Sequence, residues 1–416
     1  MEIKRNKYLN DLIIRMNNGM IKVVTGIRRS GKSYLIFKIF KKYLLQNNVP
    51  ESHIISIILD KREERVYRNP DVILEYIKSK IIDSDNYYIL IDEIQLLENF
   101  EEVLNSLLNI ENLDVYITGS NSRFLSKDVI TEFRGRGDEI HIYPLTFKEY
   151  MQVKEDIYHG WADYVIYGGL PLTATMKTEE QKIKYLSNIF EETYIKDIKD
   201  RYKIEKIQEL NDLINVLASS IGSLTNSTKI ESTFKSSLQS DISLNTIRQY
   251  IDYLKDAFLI SEVNRYDVKG RKYIGTPVKY FFEDIGLRNA RLGFRQIEET
   301  HLMENIIYNE LRARGFQVDV GVVPIRKISN DGKRVRTQLE VDFIATLGSR
   351  KYYIQSAFAI PDESKEKQEK ASLLNIYDSF KKIIVVKDVI NIKRDNDGIT
   401  TISIYDFLLK ENSLDC

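Results

Sequence analysis

One short stretch, GIRRSGKS at positions 26–33, restricts the fold of this chain more than any other feature of the sequence. It fits the pattern G-x-x-x-x-G-K-S/T of a phosphate-binding loop. The mostly apolar residues 21–24 before it predict a strand, and residues 34–45 after it predict a helix. A loop that joins a strand to a helix can direct backbone N–H groups and the helix N-terminus at a polyphosphate. The sequence therefore predicts a parallel α/β domain that binds ATP or GTP.

The residue types in this loop suit such a site. Lys32 is expected to contact the β and γ phosphates, and the hydroxyl of Ser33 is expected to bind Mg²⁺. Arg28 and Arg29 are expected either to contact phosphate or to brace the loop. The residues predicted to bind the nucleotide are Gly26, Ile27, Arg28, Arg29, Ser30, Gly31, Lys32, Ser33 and Tyr34.

A second motif indicates a site that hydrolyses the nucleotide. Residues 87–93, YYILIDE, form an apolar run that ends in two carboxylates. Asp92 is expected to hold Mg²⁺ through its water shell, and Glu93 is expected to activate the attacking water as general base. The alternative is an acidic helix start after a buried strand, because carboxylates favour helix N-termini. The phosphate loop upstream favours the catalytic interpretation.

Two later segments supply further candidates for this site. The next predicted strand ends in TGSNS, where Ser120 or Asn121, and less readily Thr118, would contact the γ-phosphate or the attacking water. A simple turn is the alternative. Arg134 and Arg136 lie on the glycine-flanked loop FRGRGD. One of them is expected to neutralise charge on the transferred phosphate from a neighbouring subunit, or else to form a surface salt bridge.

Length and composition limit the number of domains, the kinds of partner and the compartment that are expected. The 416 residues are enough for two to four domains at about 150 residues each. Because 61 Lys+Arg balance 61 Asp+Glu, a uniformly basic nucleic-acid-binding surface is not expected, although a local basic patch is allowed. The single cysteine, Cys416, excludes an internal disulfide framework. No apolar run reaches the ~18 residues of a membrane span, and no signal peptide is evident, so a cytoplasmic protein without a membrane partner is expected.

Hydrophobic patterns divide the chain into four predicted segments. Residues 1–150 alternate apolar strands with amphipathic helices, which is typical of a parallel α/β core. Residues 151–205 are mostly helical and are interrupted by a turn at GGLP. Residues 206–283 contain helices followed by two strands, and residues 284–416 form a second α/β stretch.

The segment 206–283 has the pattern of a winged helix-turn-helix. A helix from about 227 to 238 precedes a short turn and a second helix, for which Ser243 is a suitable N-cap. The alternative is a structural or protein-docking module, so DNA and a protein partner both remain open. The residues predicted to contact DNA are Asn245, Arg248 and Gln249 in the major groove and Lys269, Arg271 and Lys272 at phosphates.

The final segment has the element order of a restriction-endonuclease-like fold. The signature of that fold brings two carboxylates and a lysine to Mg²⁺ and the scissile phosphate, from an acidic residue on one strand and an acidic-x-Lys triplet on the next. Asp342 stands at the first position, but Gln355 and Ala357 stand where the second carboxylate and the lysine are required. Metal-dependent cleavage is therefore not favoured. A domain that binds DNA or a partner protein is expected instead.

These motifs resemble those of a widespread bacterial and archaeal group of AAA+ ATPases. The resemblance rests on GIRRSGKS, YYILIDEIQ, ITGSNS and FRGRGDEIHIYPLTFKEY, and it continues through GGLP, YFFEDIGL, EN and EVDF into a C-terminal domain without an established activity. It implies ATP and Mg²⁺ as ligands and the roles given above for Lys32, Ser33, Asp92 and Glu93. It also favours Arg136 over Arg134 as the arginine finger, which would require a homo-oligomer.

The function expected from the sequence is Mg²⁺-dependent ATP hydrolysis coupled to a conformational change and to binding of DNA or a protein. Two alternatives remain open. One is an ATP-regulated nuclease, and the other is a nucleotide-gated scaffold with little turnover.

Overall fold

The computed structural model describes residues 2–119, 135–328, 334–388 and 390–415 of the chain. The protein divides into two compact units. The first comprises Met1–Pro144 with Asp256–Phe258, and the second comprises Leu145–Lys255 with Leu259–Cys416. Each unit has its own β-sheet.

A five-stranded sheet forms the centre of the first unit. Its strands are β1 (Ile21–Thr25), β2 (Ile54–Ile58), β3 (Tyr87–Asp92), β4 (Leu113–Thr118) and β5 (Gly137–His141). The order is β2-β3-β4-β1-β5, and every neighbouring pair is parallel. β1 and β3 are buried along their whole length, as expected for strands covered on both faces. The predicted parallel α/β fold of this unit is confirmed.

The core of the first unit lies on both faces of this sheet. In β3, Ile89 and Ile91 pack into one apolar cluster, whereas Tyr88 and Leu90 pack into the other, because successive side chains of a strand point to opposite faces. Helices and short helical turns cover the two faces. The α-helices are Asn6–Ile14, Lys32–Tyr34, Lys41–Gln46, Pro70–Lys80 and Phe100–Leu107; Leu35–Phe40 is π-helical, and Glu51–His53, Arg62–Arg68 and Ile94–Leu96 are 3₁₀ turns.

An eight-stranded mixed sheet forms the centre of the second unit. Its strands are β6 (Ile260–Asp267), β7 (Lys272–Phe282), β8 (Gln317–Ile328), β9 (Arg334–Leu347), β10 (Arg350–Ala357), β11 (Lys381–Val386), β12 (Lys393–Arg394) and β13 (Ile399–Ser403). The order is β12-β13-β11-β10-β9-β8-β6-β7. β6 pairs antiparallel with β7 and parallel with β8. Strands from both sides of the boundary predicted at residue 283 therefore share one sheet.

Helices make up most of the rest of the second unit. The helices predicted around 227–238 and 243–254 form at Ser227–Ser237 and Leu244–Asp256. Of the helices in the described ranges, none has both the length and the apolar composition that a membrane span requires. The other α-helices are Phe147–Tyr150, Ile157–Tyr167, Pro171–Thr175, Glu179–Ile189, Lys196–Tyr202, Ile207–Ser219, Ile285–Arg291, Glu299–Ala313, Glu363–Leu374 and Ile404–Leu409; Met151–Val153 is a 3₁₀ turn and Phe190–Ile195 is π-helical.

Asp284 joins two of the sequence motifs within the second unit. Its Oδ2 accepts a hydrogen bond from the N–H of Gly169 (2.8 Å), and its Oδ1 accepts one from the N–H of Leu287 (2.9 Å) at the start of a helix. Burial raises the pKa of Asp284 to about 6, although these N–H groups act in the opposite direction. Gly168 has φ +70°, and a Cβ there would lie 2.4 Å from Asp284 Oδ1. The motifs GGLP and EDIGL therefore form one hydrogen-bonded structure.

Gly168→Ala is expected to lower the free energy of unfolding by roughly 2–4 kcal/mol, because a strained φ and a displaced buried carboxylate act together. Urea unfolding of the full chain measures this loss. Gly348→Ala is the matched control, since Gly348 has φ +59° and open space around its Cβ position. That control is expected to lose about 1 kcal/mol. Equal losses in the two variants would show that the contact with Asp284 has no effect on stability.

Candidate nucleotide-binding site

The loop at residues 26–33 leads from β1 into the helix that begins at Lys32. Gly26 and Gly31 have φ values of +133° and +99°, which residues other than glycine rarely adopt. A Cβ at Gly26 would lie 2.2 Å from the carbonyl oxygen of Ile142. Glycine at position 26 is thus required both by backbone conformation and by the close approach of the chain after β5. The strand, loop and helix follow one another as the motif predicts.

Lys32 is buried and its ammonium faces the loop. Its Nζ donates hydrogen bonds to the carbonyl oxygens of Gly26 (2.8 Å) and Ile27 (2.9 Å). These contacts keep the ammonium within the curve of the loop, where backbone N–H groups can also meet an anion. Among the other predicted loop residues, Ser30 is buried and Tyr34 is half exposed.

Three polar side chains meet at the carboxyl ends of β1, β3 and β4. Asp92 Oδ1 accepts hydrogen bonds from Ser33 Oγ (2.9 Å) and from Thr118 Oγ1 (2.5 Å). Burial raises the pKa of Asp92, while the two hydroxyl groups act to lower it. Because these three strands are neighbours in a parallel sheet, residues far apart in sequence converge at one edge.

Glu93 lies directly beyond this group and has a left-handed backbone with φ +53°. Its N–H donates to Thr118 Oγ1 (2.9 Å), and its Oε2 accepts from the side-chain amide of Gln95. Burial raises the pKa of Glu93, the charges of Lys32 and Arg28 lower it, and the charge of Asp92 raises it further. The charged groups of both motifs thus influence this carboxylate.

Not every predicted residue reaches this edge. Ser120, Asn121 and Arg134 lie outside the described residues. Arg136 precedes β5, and its carbonyl oxygen accepts a hydrogen bond from the N–H of Ile21 (2.8 Å) at the amino end of β1. Its backbone is therefore about 16 Å, the length of a five-residue strand, from the start of the phosphate loop. The structure does not bring Arg136 to the edge where Lys32 and Asp92 lie.

Two side chains of this region make contacts that the sequence did not predict. Thr118, the less favoured alternative to Ser120 and Asn121 for contact with phosphate, contacts both Asp92 and the backbone of Glu93. Arg5, which no motif includes, is only 6% exposed. Its guanidinium donates to the carbonyl oxygens of Ser30 (3.0 Å) and Tyr143 (2.8 Å) and lies 4.5 Å from the ring centre of Tyr8. No pattern in the first residues distinguishes such a buried arginine from a surface one.

Arg5→Ala is expected to weaken ATP binding about 10-fold, because the Ser30 carbonyl in the phosphate loop loses a charged donor worth about 1.5–3 kcal/mol. Arg5→Lys is expected to restore part of this loss, since an ammonium lacks the planar fork that bonds two carbonyls. Titration with a fluorescent ATP analogue measures the dissociation constant. Lys4→Ala, at an exposed neighbour, is the control. An unchanged dissociation constant in Arg5→Ala would contradict this role for Arg5.

A second charged cluster lies in the other unit, around Lys279 on β7. Its Nζ is 2.7 Å from Glu304 Oε1, 2.7 Å from Glu340 Oε1 and 3.9 Å from Asp342 Oδ1. Burial, and next the charge of Glu304, raise the pKa of Asp342 to about 8. The N–H of Ser356 donates to Asp342 Oδ2 (2.7 Å). The ammonium of Lys279, a residue that no sequence motif includes, therefore lies among these carboxylates.

The residues predicted to contact DNA are on the surface of the protein. Asn245, Arg248 and Gln249 are exposed on the helix Leu244–Asp256. Lys269 and Arg271 are exposed in the connection between β6 and β7, and Lys272 is exposed at the start of β7. All six side chains are thus accessible to a partner.

Comparison with protein families assigns the amino-terminal part of the chain. A family model described as "AAA domain" matches residues 18–151, and one described as "Domain of unknown function (DUF8612)" matches residues 158–298. Together with the parallel sheet and the loop at 26–33, the first match identifies residues 18–151 as an AAA domain.

The chain belongs to the same family as an uncharacterized protein of Haemophilus influenzae. The two are 35% identical over 415 residues, which cover 98% of this chain and 99% of that protein. It is also similar to an uncharacterized protein of Methanocaldococcus jannaschii, with 28% identity over 386 residues that cover 88% of this chain and 81% of the relative.

Solved structures give weaker similarities. The Aeropyrum pernix Orc1 protein in complex with DNA matches with a TM-score of 0.30 and 12% identity, over 70% of this chain and 93% of that chain. The Cdc6p structure from Pyrobaculum aerophilum matches with a TM-score of 0.29 and 12% identity, over 73% and 97%. At these TM-scores neither similarity is evidence for the fold or the function of this chain.

Proposed function

We propose that this protein binds Mg²⁺–ATP at the loop 26–33 and hydrolyses it. The observation that carries the proposal is the hydrogen bond of 2.9 Å between Ser33 Oγ and Asp92 Oδ1. A hydroxyl and a carboxylate oxygen are ligands suited to Mg²⁺, and each follows a different strand of the parallel sheet. In this role Ser33 and Asp92 hold the metal ion, which neutralises charge on the phosphates.

Lys32 and Glu93 supply the remaining chemistry. The ammonium of Lys32, now bonded to two neutral carbonyls, forms stronger charge-assisted bonds with phosphate oxygens. Glu93 accepts the proton of the attacking water. Burial raises its pKa, which makes the carboxylate a stronger base. Gln95, whose amide donates to Glu93 Oε2, orients the carboxylate.

Ser120 and Arg136 complete the proposed catalytic set. Ser120 contacts the γ-phosphate, and Arg136 acts as an arginine finger on the site of a neighbouring subunit. The position of Arg136 at the amino end of β1, away from its own phosphate loop, supports action between subunits. The protein would then work as a homo-oligomer.

Phosphate release measured with ATP tests this proposal. Turnover is expected to require Mg²⁺ and to disappear with EDTA. Specific activity is expected to rise with protein concentration, because each site needs an arginine from a second subunit, and Arg136→Ala is expected to remove that rise. A protein that binds no ATP, or whose turnover is indifferent to Mg²⁺, would contradict the proposal.

The rest of the chain is proposed to transmit the nucleotide state to a partner. On this view residues 206–283 form a winged-helix-like segment and residues 284–416 a restriction-endonuclease-like domain that binds rather than cuts, in a cytoplasmic protein. The exposed polar and basic side chains on the helix Leu244–Asp256 and the β6–β7 connection support a binding role. Stimulation of ATP turnover by DNA would distinguish a DNA partner from a protein partner.

An ATP-regulated nuclease is a second candidate, and Lys279 is the observation that favours it. Its ammonium lies 2.7 Å from Glu304 and 3.9 Å from Asp342 and could stand in for the lysine missing at Ala357. Two features oppose it: Gln355 is not a carboxylate, and burial raises the pKa of Asp342, which favours the protonated form over the carboxylate that binds a metal ion. Incubation with plasmid and single-stranded DNA in the presence of Mg²⁺ tests this candidate. A nuclease should cleave the DNA, and Asp342→Ala should abolish the cleavage. No cleavage by the unaltered protein rejects this candidate.

A further inference from the structure

Large aromatic side chains are exposed close to the β6–β7 hairpin of the second unit. Tyr377 is 84% exposed, Tyr273 is 63% exposed and Phe380 is 38% exposed. Burial of an aromatic ring contributes strongly to folding, so several rings left in water near one another usually mark an interaction surface.

Lysine side chains connect these rings into one surface. Lys269 Nζ lies 5.3 Å from the ring centre of Tyr377. Lys351 Nζ lies 5.0 Å from the ring centre of Phe380 and 5.9 Å from that of Tyr266. Tyr266 faces Tyr273 across β6 and β7, with ring centres 5.3 Å apart. We call the six residues Tyr266, Lys269, Tyr273, Lys351, Tyr377 and Phe380 the aromatic–basic patch.

Three carboxylates beside this patch accept hydrogen bonds from within the protein. Asp378 accepts from the hydroxyl of Tyr353 through Oδ2 and from the N–H of Phe380 (3.2 Å) through Oδ1. Asp267 is buried and accepts from two N–H groups of the hairpin turn. Asp319 accepts from the hydroxyl of Tyr273 (3.3 Å). The exposed Arg271 and Lys272 in the same hairpin add further positive charge.

We propose that the aromatic–basic patch binds single-stranded nucleic acid. Unpaired bases stack on exposed aromatic rings, and the phosphates between them pair with lysine and arginine side chains. A duplex hides the faces of its bases, so it would use the basic groups but not the rings. An apolar protein surface offers no acceptor for the ammonium groups of Lys269 and Lys351, and removing such groups from water is costly. The alternation of rings and cations therefore matches a single strand best.

This proposal rests on one part of the proposed function, the binding of a partner, and it specifies the chemistry of that partner. Binding is measured without ATP, so a failure of ATP hydrolysis leaves the test intact. Fluorescence anisotropy of the full chain with labelled oligo-dT and oligo-rU of about 16 nucleotides covers the usual site size for such surfaces. The two oligonucleotides distinguish DNA from RNA, and a duplex of equal length is the third probe.

Two variants separate stacking from charge. Tyr377→Ala is expected to raise the dissociation constant roughly 5- to 100-fold and to leave the salt dependence unchanged, because it removes one stacking surface. Lys269→Ala is expected to reduce the slope of log K against log salt by about 0.7, the value for one phosphate contact on a single strand. Tyr158→Ala and Lys410→Ala, at exposed positions 56% and 53% accessible, are the controls.

The outcomes are distinct. Tighter binding of a single strand than of duplex, with losses confined to the two patch variants, supports the proposal. Three results would overturn it: no binding of either oligonucleotide by the unaltered protein, equal binding of duplex and single strand, or unaltered binding in Tyr377→Ala. Because Tyr377 is almost fully exposed, its replacement is not expected to disturb folding.

Discussion

Glu93→Gln is expected to lower ATP turnover by roughly 10²–10⁴-fold, the usual contribution of a general base. Glutamine keeps the size of the side chain and can still meet the amide of Gln95, but it cannot accept the proton of the attacking water. Its effect on ATP binding is expected to be small, because the proposed Mg²⁺ ligands Ser33 and Asp92 and the lysine of the loop are unchanged. Single-turnover hydrolysis and equilibrium binding of ATP separate the two effects.

Glu98→Gln is the control for this change. Glu98 is exposed and lies only five positions along the chain, so its replacement alters net charge by the same amount. Normal turnover in Glu98→Gln with loss in Glu93→Gln assigns the effect to the site. Comparable turnover in both variants would mean that Glu93 is not the base.

Lys32→Ala is expected to reduce kcat/KM for ATP by roughly 10²–10³-fold, the usual cost of removing one preorganised donor to a developing charge. In contrast to Glu93→Gln, this change should weaken binding as well as turnover, because the proposed contact of the ammonium with phosphates exists in both the bound and the reacting states. Removing it also leaves the carbonyl oxygens of Gly26 and Ile27 without their charged donor, which loosens the loop. Isothermal titration with ATP and steady-state kinetics measure the two quantities.

Lys38→Ala provides the matched control, since Lys38 is an exposed lysine on the helix that follows the loop. Its variant is expected to behave as the unaltered protein does. If Lys32→Ala binds ATP with normal affinity, the loop at 26–33 is not the phosphate site, whatever its sequence pattern.

Local patterns in the sequence were sufficient to predict most of the strands and loops that position the site. The buried strand β3 is recognisable because a run of apolar and aromatic residues precedes two carboxylates, and the phosphate loop is recognisable because its glycines and lysine follow a fixed spacing. The clusters on the two faces of β3 follow from its alternating side chains. Such features depend on neighbours within a few residues.

Contacts between distant segments were not accessible in the same way. Arg5 reaches Ser30 and Tyr143 only because the chain returns to the same place twice. Lys279 meets Glu304 and Asp342 only because the fold brings a later helix and a later strand close to β7. In the sequence, neither Arg5 nor Lys279 can be told from a surface basic residue. Their burial and their partners depend on topology.

The sequence by itself determined that this chain contains a phosphate loop, a carboxylate pair after a buried strand and a parallel sheet that joins them, because each is encoded in local spacing and periodicity. Tertiary structure alone decided three further points. It placed Ser33, Asp92 and Thr118 in contact, left Arg136 at the opposite edge of the sheet, and gathered the rings and lysines of the aromatic–basic patch from strands and a loop far apart in the chain. The physical reason is that strand order and register, which set these distances, are fixed by packing over the whole unit rather than by any short segment.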